Sequence, residues 1–229
     1  DDDCIPDKSW LHTLWQYYKD EEMIAFTGKI TVPGSACPTD PDHNIARFYQ
    51  ARFVTANCAC TKKALKKIGG FDEHFTTAWR EDSDLEFKFI KHQIPVHPIA
   101  ATVIHPVRKA SWGVRLREQK KVMFNALLFK KYPSLYREKI QPAPAWNYYI
   151  MVCSFFIFLF SILNLHVYPA IISGCCWLIL LTGFIHKRLA NTSHNFSHVI
   201  EMIITSAIIP FLSVDWTLEC AWKFKVLYF

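Results

Sequence analysis

The sequence predicts an α/β head followed by an α-helical transmembrane region, and three observations predict it. Apolar residues between positions 22 and 106 switch between period-two and helical spacing. No Asp, Glu, Lys or Arg occurs from Ile140 to His186, a run of 47 residues. Charge is also partitioned: residues 1–107 carry 12 Lys or Arg against 15 Asp or Glu, residues 108–139 carry 10 against 2, and residues 144–229 carry 4 against 3. The net charge of +6 therefore hides an acidic head, a basic neck and an apolar tail.

The head is taken to span residues 1–110. It opens on "DDDCIPD", which reads as the end of a strand, so further strands of the sheet are expected upstream. "EMIAFTGKITVP" is strand-like, with Ile24, Phe26, Ile30 and Val32 at even spacing and Gly28 as a bulge. "GSACPTDPDHN" is rich in turn formers, and "NIARFYQARF" has helical spacing. "FVTANCAC" is short and β-prone. "TKKALKKIGG" is a short helix, capped by Thr61 and ended by Gly69 or Gly70. A helix begins at Glu81, with Leu85, Phe89 and Ile90 on one stripe, and "IPVHPIAATVIHP" is a strand bounded by prolines.

Residues 111–143 form the neck and linker. Leu116, Met123 and Leu127 share a stripe flanked by Arg115, Arg117, Lys120 and Lys121, as in a basic amphipathic helix held on anionic membrane lipids. Residues 144–229 follow as a hairpin of two spans, about 147–163 and 170–185, and a third apolar segment, about 198–214, that suits either an interfacial helix or a crossing. A buried hairpin of a soluble protein is the competing reading of the uncharged run. Lys130, Lys131, Arg137 and Lys139 precede the hairpin and Lys187 and Arg188 follow it, while its loop has no basic residue. The positive-inside rule then predicts a multi-pass protein of the inner (cytoplasmic) membrane with its head on the cytoplasmic side. Adjoining membrane segments argue against nucleic acid as the partner of the basic neck. The eight cysteines include Cys58 and Cys60, spaced poorly for zinc or a redox disulfide, and are expected to be free thiols.

Two acidic clusters carry the chemistry. Asp1 and Asp3 share a side of an extended chain, with Asp2 on the other, and carboxylates at a strand end can share a divalent cation that in turn holds a phosphate. Glu81, Asp82 and Asp84 fall in the first turn of a helix, where the macrodipole favours the ionised form and a carboxylate can take a proton from an attacking hydroxyl. Helix capping and a solvated acidic terminus are the plainer readings.

"DDDCIPD", "TANCACTKKALKKIGGFDEHFTTAWREDSDLEFKF" and "VIHP", in that order, closely resemble the second half of family 2 glycosyltransferases, inverting enzymes of the GT-A fold, over residues 1–110. The resemblance implies an incomplete GT-A (Rossmann-like) domain. Asp1 and Asp3 would bind a divalent metal, Mg or Mn, with His105 as a further ligand and Asp2 beside the donor. Asp82 would be the catalytic base, with Glu81 next to it. Gly69, Gly70, Phe71, Asp72 and Glu73, with Asn57 and Trp79, would shape the donor and acceptor pocket. The implied partners are a nucleotide-diphosphate sugar, a lipid-linked or cell-envelope glycan acceptor and membrane lipids. The N-terminal nucleotide-binding half of the family is not in this sequence, and neither is the QxxRW motif of processive synthases, which points to transfer of a single sugar. A non-catalytic membrane scaffold or glycan-binding remnant is the alternative from another class. An aspartyl phosphatase fits "DDDCI" poorly.

Overall fold

The computed structural model describes residues 3–20, 22–33, 38–42, 53–106 and 110–228. Asp1, Asp2 and nearly all of the helix expected over 44–53 lie outside the described residues. The chain divides into two compact units, Asp1–Ala36 with Pro41–Lys109 and Cys37–Asp40 with Ala110–Phe229.

The first unit is mixed α/β. Its elements are β1 (Ile5–Pro6), α1 (Trp10–Tyr17), β2 (Ala25–Thr31), β3 (Cys58–Cys60), α2 (Lys62–Lys67), α3 (Glu81–Lys91) and β4 (Val96–Ile104). The strands form one sheet in the order β1-β4-β2-β3, with β2 and β4 parallel and the two outer pairs antiparallel. The period-two pattern of β2 explains the layering. Ile24 and Phe26 pack with Ile99 and Ala101 against Trp10 and Leu14 of α1. Ala25, between them in sequence, joins Ala64, Leu85 and Phe89 of α2 and α3 in a second cluster. A sheet covered by helices on both faces follows from burying both sets.

Local signals set the ends of these elements. Thr61 Oγ1 accepts the Ala64 N–H at 3.2 Å at the start of α2. At its end Gly69 and Gly70 take φ of 76° and 67°, and Gly70 N–H bonds the Leu65 carbonyl at 3.0 Å. Gly28 marks a shift in the β2–β4 register between Thr27 and Lys29. Any side chain there would overlap the Asn57 carboxamide and the Ala101 carbonyl oxygen.

The second unit is helical. It contains α4 (Val114–Glu118), a 3-10 turn (Gln119–Lys121), α5 (Val122–Lys131), α6 (Pro133–Lys139), α7 (Trp146–Leu163), α8 (Val167–Leu189) and α9 (Phe196–Phe224). The neck is thus several short helices rather than one amphipathic helix. Pro133 has no N–H to continue α5 and instead opens α6, after Tyr132 has left the helical region with φ of −143° and ψ of 66°. The buried stripe also differs from the expected Leu116, Met123 and Leu127: Phe124, Ala126, Leu128 and Tyr136 are buried, because α5 packs against α9 on that side.

Helices α7, α8 and α9, of 18, 23 and 29 residues, are long and apolar enough to cross a membrane. In the hairpin, Gly174 lets α8 approach the ring of Phe158, and Ser154 Oγ lies 3.4 Å from Cys176 Sγ. Helix α9 extends well beyond the expected 198–214 and carries Pro210 inside it.

Candidate active site

Two groups of predicted residues come together in the first unit. The first lies where β1 and β4 meet. Ile5 pairs with Ile104, which leaves Asp3 and Cys4, just before β1, near His105, just after β4. The His105 N–H is fixed on the Thr31 carbonyl at 2.9 Å. Its Nδ1 donates to the Pro106 carbonyl at 3.1 Å, and its Nε2 stands 3.5 Å from Asp3 Oδ1. A histidine whose Nδ1–H is held by a carbonyl offers Nε2 as a metal ligand. The ligand atoms of Asp3, Cys4 and His105 lie within 4.8 Å of one another. The carboxylate and imidazole fit a divalent ion such as Mn; the thiol, which sequence reasoning did not single out, is a poor ligand for Mg. Asp1 and Asp2 lie outside the described residues.

The second group surrounds the start of α3. Phe71, Asp72, Glu73, Phe75 and Glu81 line an open concavity of about 370 Å³. The Gly69–Gly70 turn brings the chain into it, and Phe71 is 52% exposed. Asp72 accepts the His74 N–H at 2.9 Å and lies 2.6 Å from His74 Nδ1, which holds its carboxylate within its own loop. Lys88 Nζ donates to the Gly70 carbonyl at 2.7 Å and pairs with Asp84 at 3.3 Å, tying α3 to the glycine turn. Sequence reasoning missed this brace, although Asp84 and Lys88 stand four apart on one helix.

Arg80, the residue before α3, has φ of 73°, a left-handed conformation unusual for a side chain of its size. Its guanidinium lies 5.0 Å from the centre of the Trp79 ring. Asp82 is 3% exposed, and its Oδ1 accepts the Ser83 N–H at 2.6 Å. Burial raises its pKa above the usual carboxylate range, against the opposing pull of the Ser83 N–H and Arg80. Its charge also reaches β3: the Cys58 thiol is pushed up to about 11, mainly by burial, with Cys60 and Asp82 adding to the effect.

Asn57 is a correction to its expected place in a pocket. It is buried, its Nδ2 donates to the carbonyls of Lys29 and Ala101 at 2.9 and 3.0 Å, and its Oδ1 accepts from Trp10 Nε1 at 2.9 Å. The side chain ties β2, β4 and α1 together and is not among the residues lining the concavity.

Comparison with family models, with curated proteins and with solved structures finds no match to this chain.

Proposed function

We propose that the first unit is part of a GT-A glycosyltransferase domain, and that the protein is a membrane-associated, metal-dependent inverting enzyme. It would move one sugar from a nucleotide-diphosphate sugar to a lipid-linked or cell-envelope glycan acceptor at the cytoplasmic face of the inner membrane. The observation that carries this reading is the meeting of Asp3, from the opening acidic run, with His105, a hundred residues later, at 3.5 Å beside the end of a sheet strand. Ligand sites in α/β sheets lie at strand ends.

In this reading Asp3 and His105, with Asp1, would hold the divalent ion that donor binding needs. The ion, when bound, offsets the charge that gathers on the leaving diphosphate. A carboxylate at the start of α3 takes the proton of the acceptor hydroxyl as its oxygen bonds to the anomeric carbon. The bond from that carbon to the diphosphate oxygen breaks, and its electron pair leaves with the diphosphate. Attack from the face opposite the leaving group inverts the carbon. Phe71 and Glu73 border the space in which an acceptor would lie.

The resemblance assigns the base to Asp82. Its raised pKa makes it a stronger base than an ordinary carboxylate, but so deeply buried a carboxylate needs α3 or its preceding loop to shift before a substrate reaches it. Glu81 lines the concavity already and is the second reading for the base.

Transfer of radiolabelled sugar from a panel of nucleotide sugars into membrane lipid tests the proposal, with the whole gene product and Mn or Mg present. Loss of transfer in Asp82→Asn, with at most a tenfold decrease in Glu81→Gln, supports Asp82 as base. The opposite pattern supports Glu81. Absence of transfer from every donor refutes the enzyme and leaves the membrane scaffold.

A further inference from the structure

Helix α9 buries several polar residues and exposes several apolar ones, with Asp215, Glu219 and Lys223 exposed in its second half. His198, Glu201, Thr205, Ser206 and Thr217 are buried, whereas Ile203, Ile204, Ile208, Leu218 and Trp222 are exposed. A helix on the surface of a water-soluble unit shows the reverse. The exposed Ile203, Ile204 and Ile208 fit lipid, whereas the exposed Asp215, Glu219 and Lys223 need headgroups or water, and the question is whether the helix crosses the bilayer or lies along it.

The hairpin provides a ruler. Tyr148, in the first turn of α7, packs on Phe184, near the end of α8, with ring centroids 5.4 Å apart. This pair marks the end of the hairpin that joins the basic neck, and Arg188 lies one turn beyond it. Helix α9 meets that end twice. Arg188 Nη1 donates to Thr205 Oγ1 and Ser206 Oγ at 2.7 and 2.9 Å. Farther along α9, Ser213, Val214 and Thr217 line a cavity with Pro144, Ala145, Tyr148 and Tyr149. Residues 205 and 217 are separated by about 18 Å along a helix axis. Were α9 parallel to the hairpin, residue 217 would be carried toward its far end; instead it stays at the level of Tyr149.

Both ends of α9 are also bound to the neck. The Gly113 N–H donates to Glu201 Oε1 at 2.7 Å. Past the other end, Arg137 Nη2 donates to the Tyr228 carbonyl at 2.8 Å, and the Tyr228 ring packs on Phe129 and Tyr136 at 5.9 and 6.2 Å. The segment between Gly113 and Arg137 contains Arg115, Arg117, Lys120, Lys121, Lys130 and Lys131. Basic side chains are strongly disfavoured at the centre of a bilayer, so a helix fastened to this segment at both ends stays at the level of the headgroups. Between these contacts α9 reaches into the hairpin through Phe211, whose ring meets Phe155 and Phe156 at 5.1 and 6.1 Å.

We propose that α9 lies in the membrane surface on the side of the neck, with Ile203, Ile204 and Ile208 on the lipid acyl chains and the charged residues of its second half at the headgroups. The chain then crosses the bilayer twice, and its C-terminus returns to the side where the neck lies. Partial burial agrees: 39% of the apolar window of α9 is covered by protein, against 17% in each hairpin helix. The inference is independent of the glycosyltransferase reading.

Epitope tags test it in the full chain, placed after residue 229, within residues 191–194 and within residues 164–166 in separate copies, in sealed vesicles treated with a protease that does not cross the membrane. The tags at 229 and 191–194 are expected to be cut from the same side, and the tag at 164–166 from the other. Cutting of the tags at 229 and 191–194 from opposite sides would overturn the proposal. That pair alone decides the matter if the tag in the hairpin turn disturbs insertion.

Discussion

Asp82 and Glu81 are neighbours at the start of α3 that differ in access: Asp82 is buried with its carboxylate on the Ser83 N–H, whereas Glu81 is half-buried, with Oε2 covered, and borders the open concavity beside Phe71 and Asp72. The burial of Asp82 has a consequence for stability. Its pKa is raised from the ordinary 3.8, so between the unfolded and folded values the folded state binds the additional proton. Stability contributed at this position is present below 3.8 and declines as pH rises through the raised folded value. Asp82→Asn removes the charge at any pH. Thermal melts in detergent should find the variant more stable than the unsubstituted protein at pH 7 and equal to it at pH 3. A variant less stable at pH 7 would show that the ionised carboxylate is favourably partnered.

The Asn57 carboxamide occupies the space that a side chain at position 28 would need. Gly28→Ala should therefore separate Asn57 from the carbonyls of Lys29 and Ala101 and destabilise the first unit by about 1–3 kcal/mol. A lowered melting temperature checks this, and an unchanged one would mean that Asn57 has another position of equal energy.

In the second unit, Asp40 Oδ2 lies 3.1 Å from Arg188 Nη2 and 3.2 Å from Arg115 Nε. Asp40→Ala leaves two guanidinium groups facing each other without their shared carboxylate. Removing one partner of a buried ion pair costs about 3–5 kcal/mol, and the melting temperature of the membrane-embedded protein should fall accordingly. Arg188→Met in the same background should restore part of that loss.

Cys58, half-buried on β3, should be a slow nucleophile. With its pKa pushed up to about 11 from 9.0, its thiolate fraction at pH 8 is about 100-fold below that of an ordinary thiol. Because a thiolate of higher pKa is also the stronger nucleophile, alkylation by iodoacetamide, followed residue by residue by mass spectrometry, should lag glutathione by roughly tenfold or more, burial slowing access further.

Features written in neighbouring residues were legible in the sequence: the Thr61 cap and Gly69–Gly70 end of α2, the helix starting at Glu81, the bulge at Gly28 and the apolar hairpin. No helix is predicted over residues 10–17, although Trp10 and Leu14 have the spacing of a helix that covers a sheet. What depends on distant partners was not legible. Asn57 resembled a pocket residue until Gly28, Lys29 and Ala101 were seen to surround it. The buried stripe of α5 is chosen by α9, seventy or more residues away in sequence, and local periodicity has no access to that choice. The acidic residues at 81 and 82 looked equivalent, and only the packing of α3 makes one buried and the other lining the concavity.

The most direct test of the central claim is calorimetry of nucleoside diphosphate binding to the whole gene product in membranes, with and without Mn. The account predicts binding that requires the metal and weakens at least tenfold in Asp3→Ala and in His105→Ala. Binding of equal strength without metal, and undiminished in both variants, would contradict it.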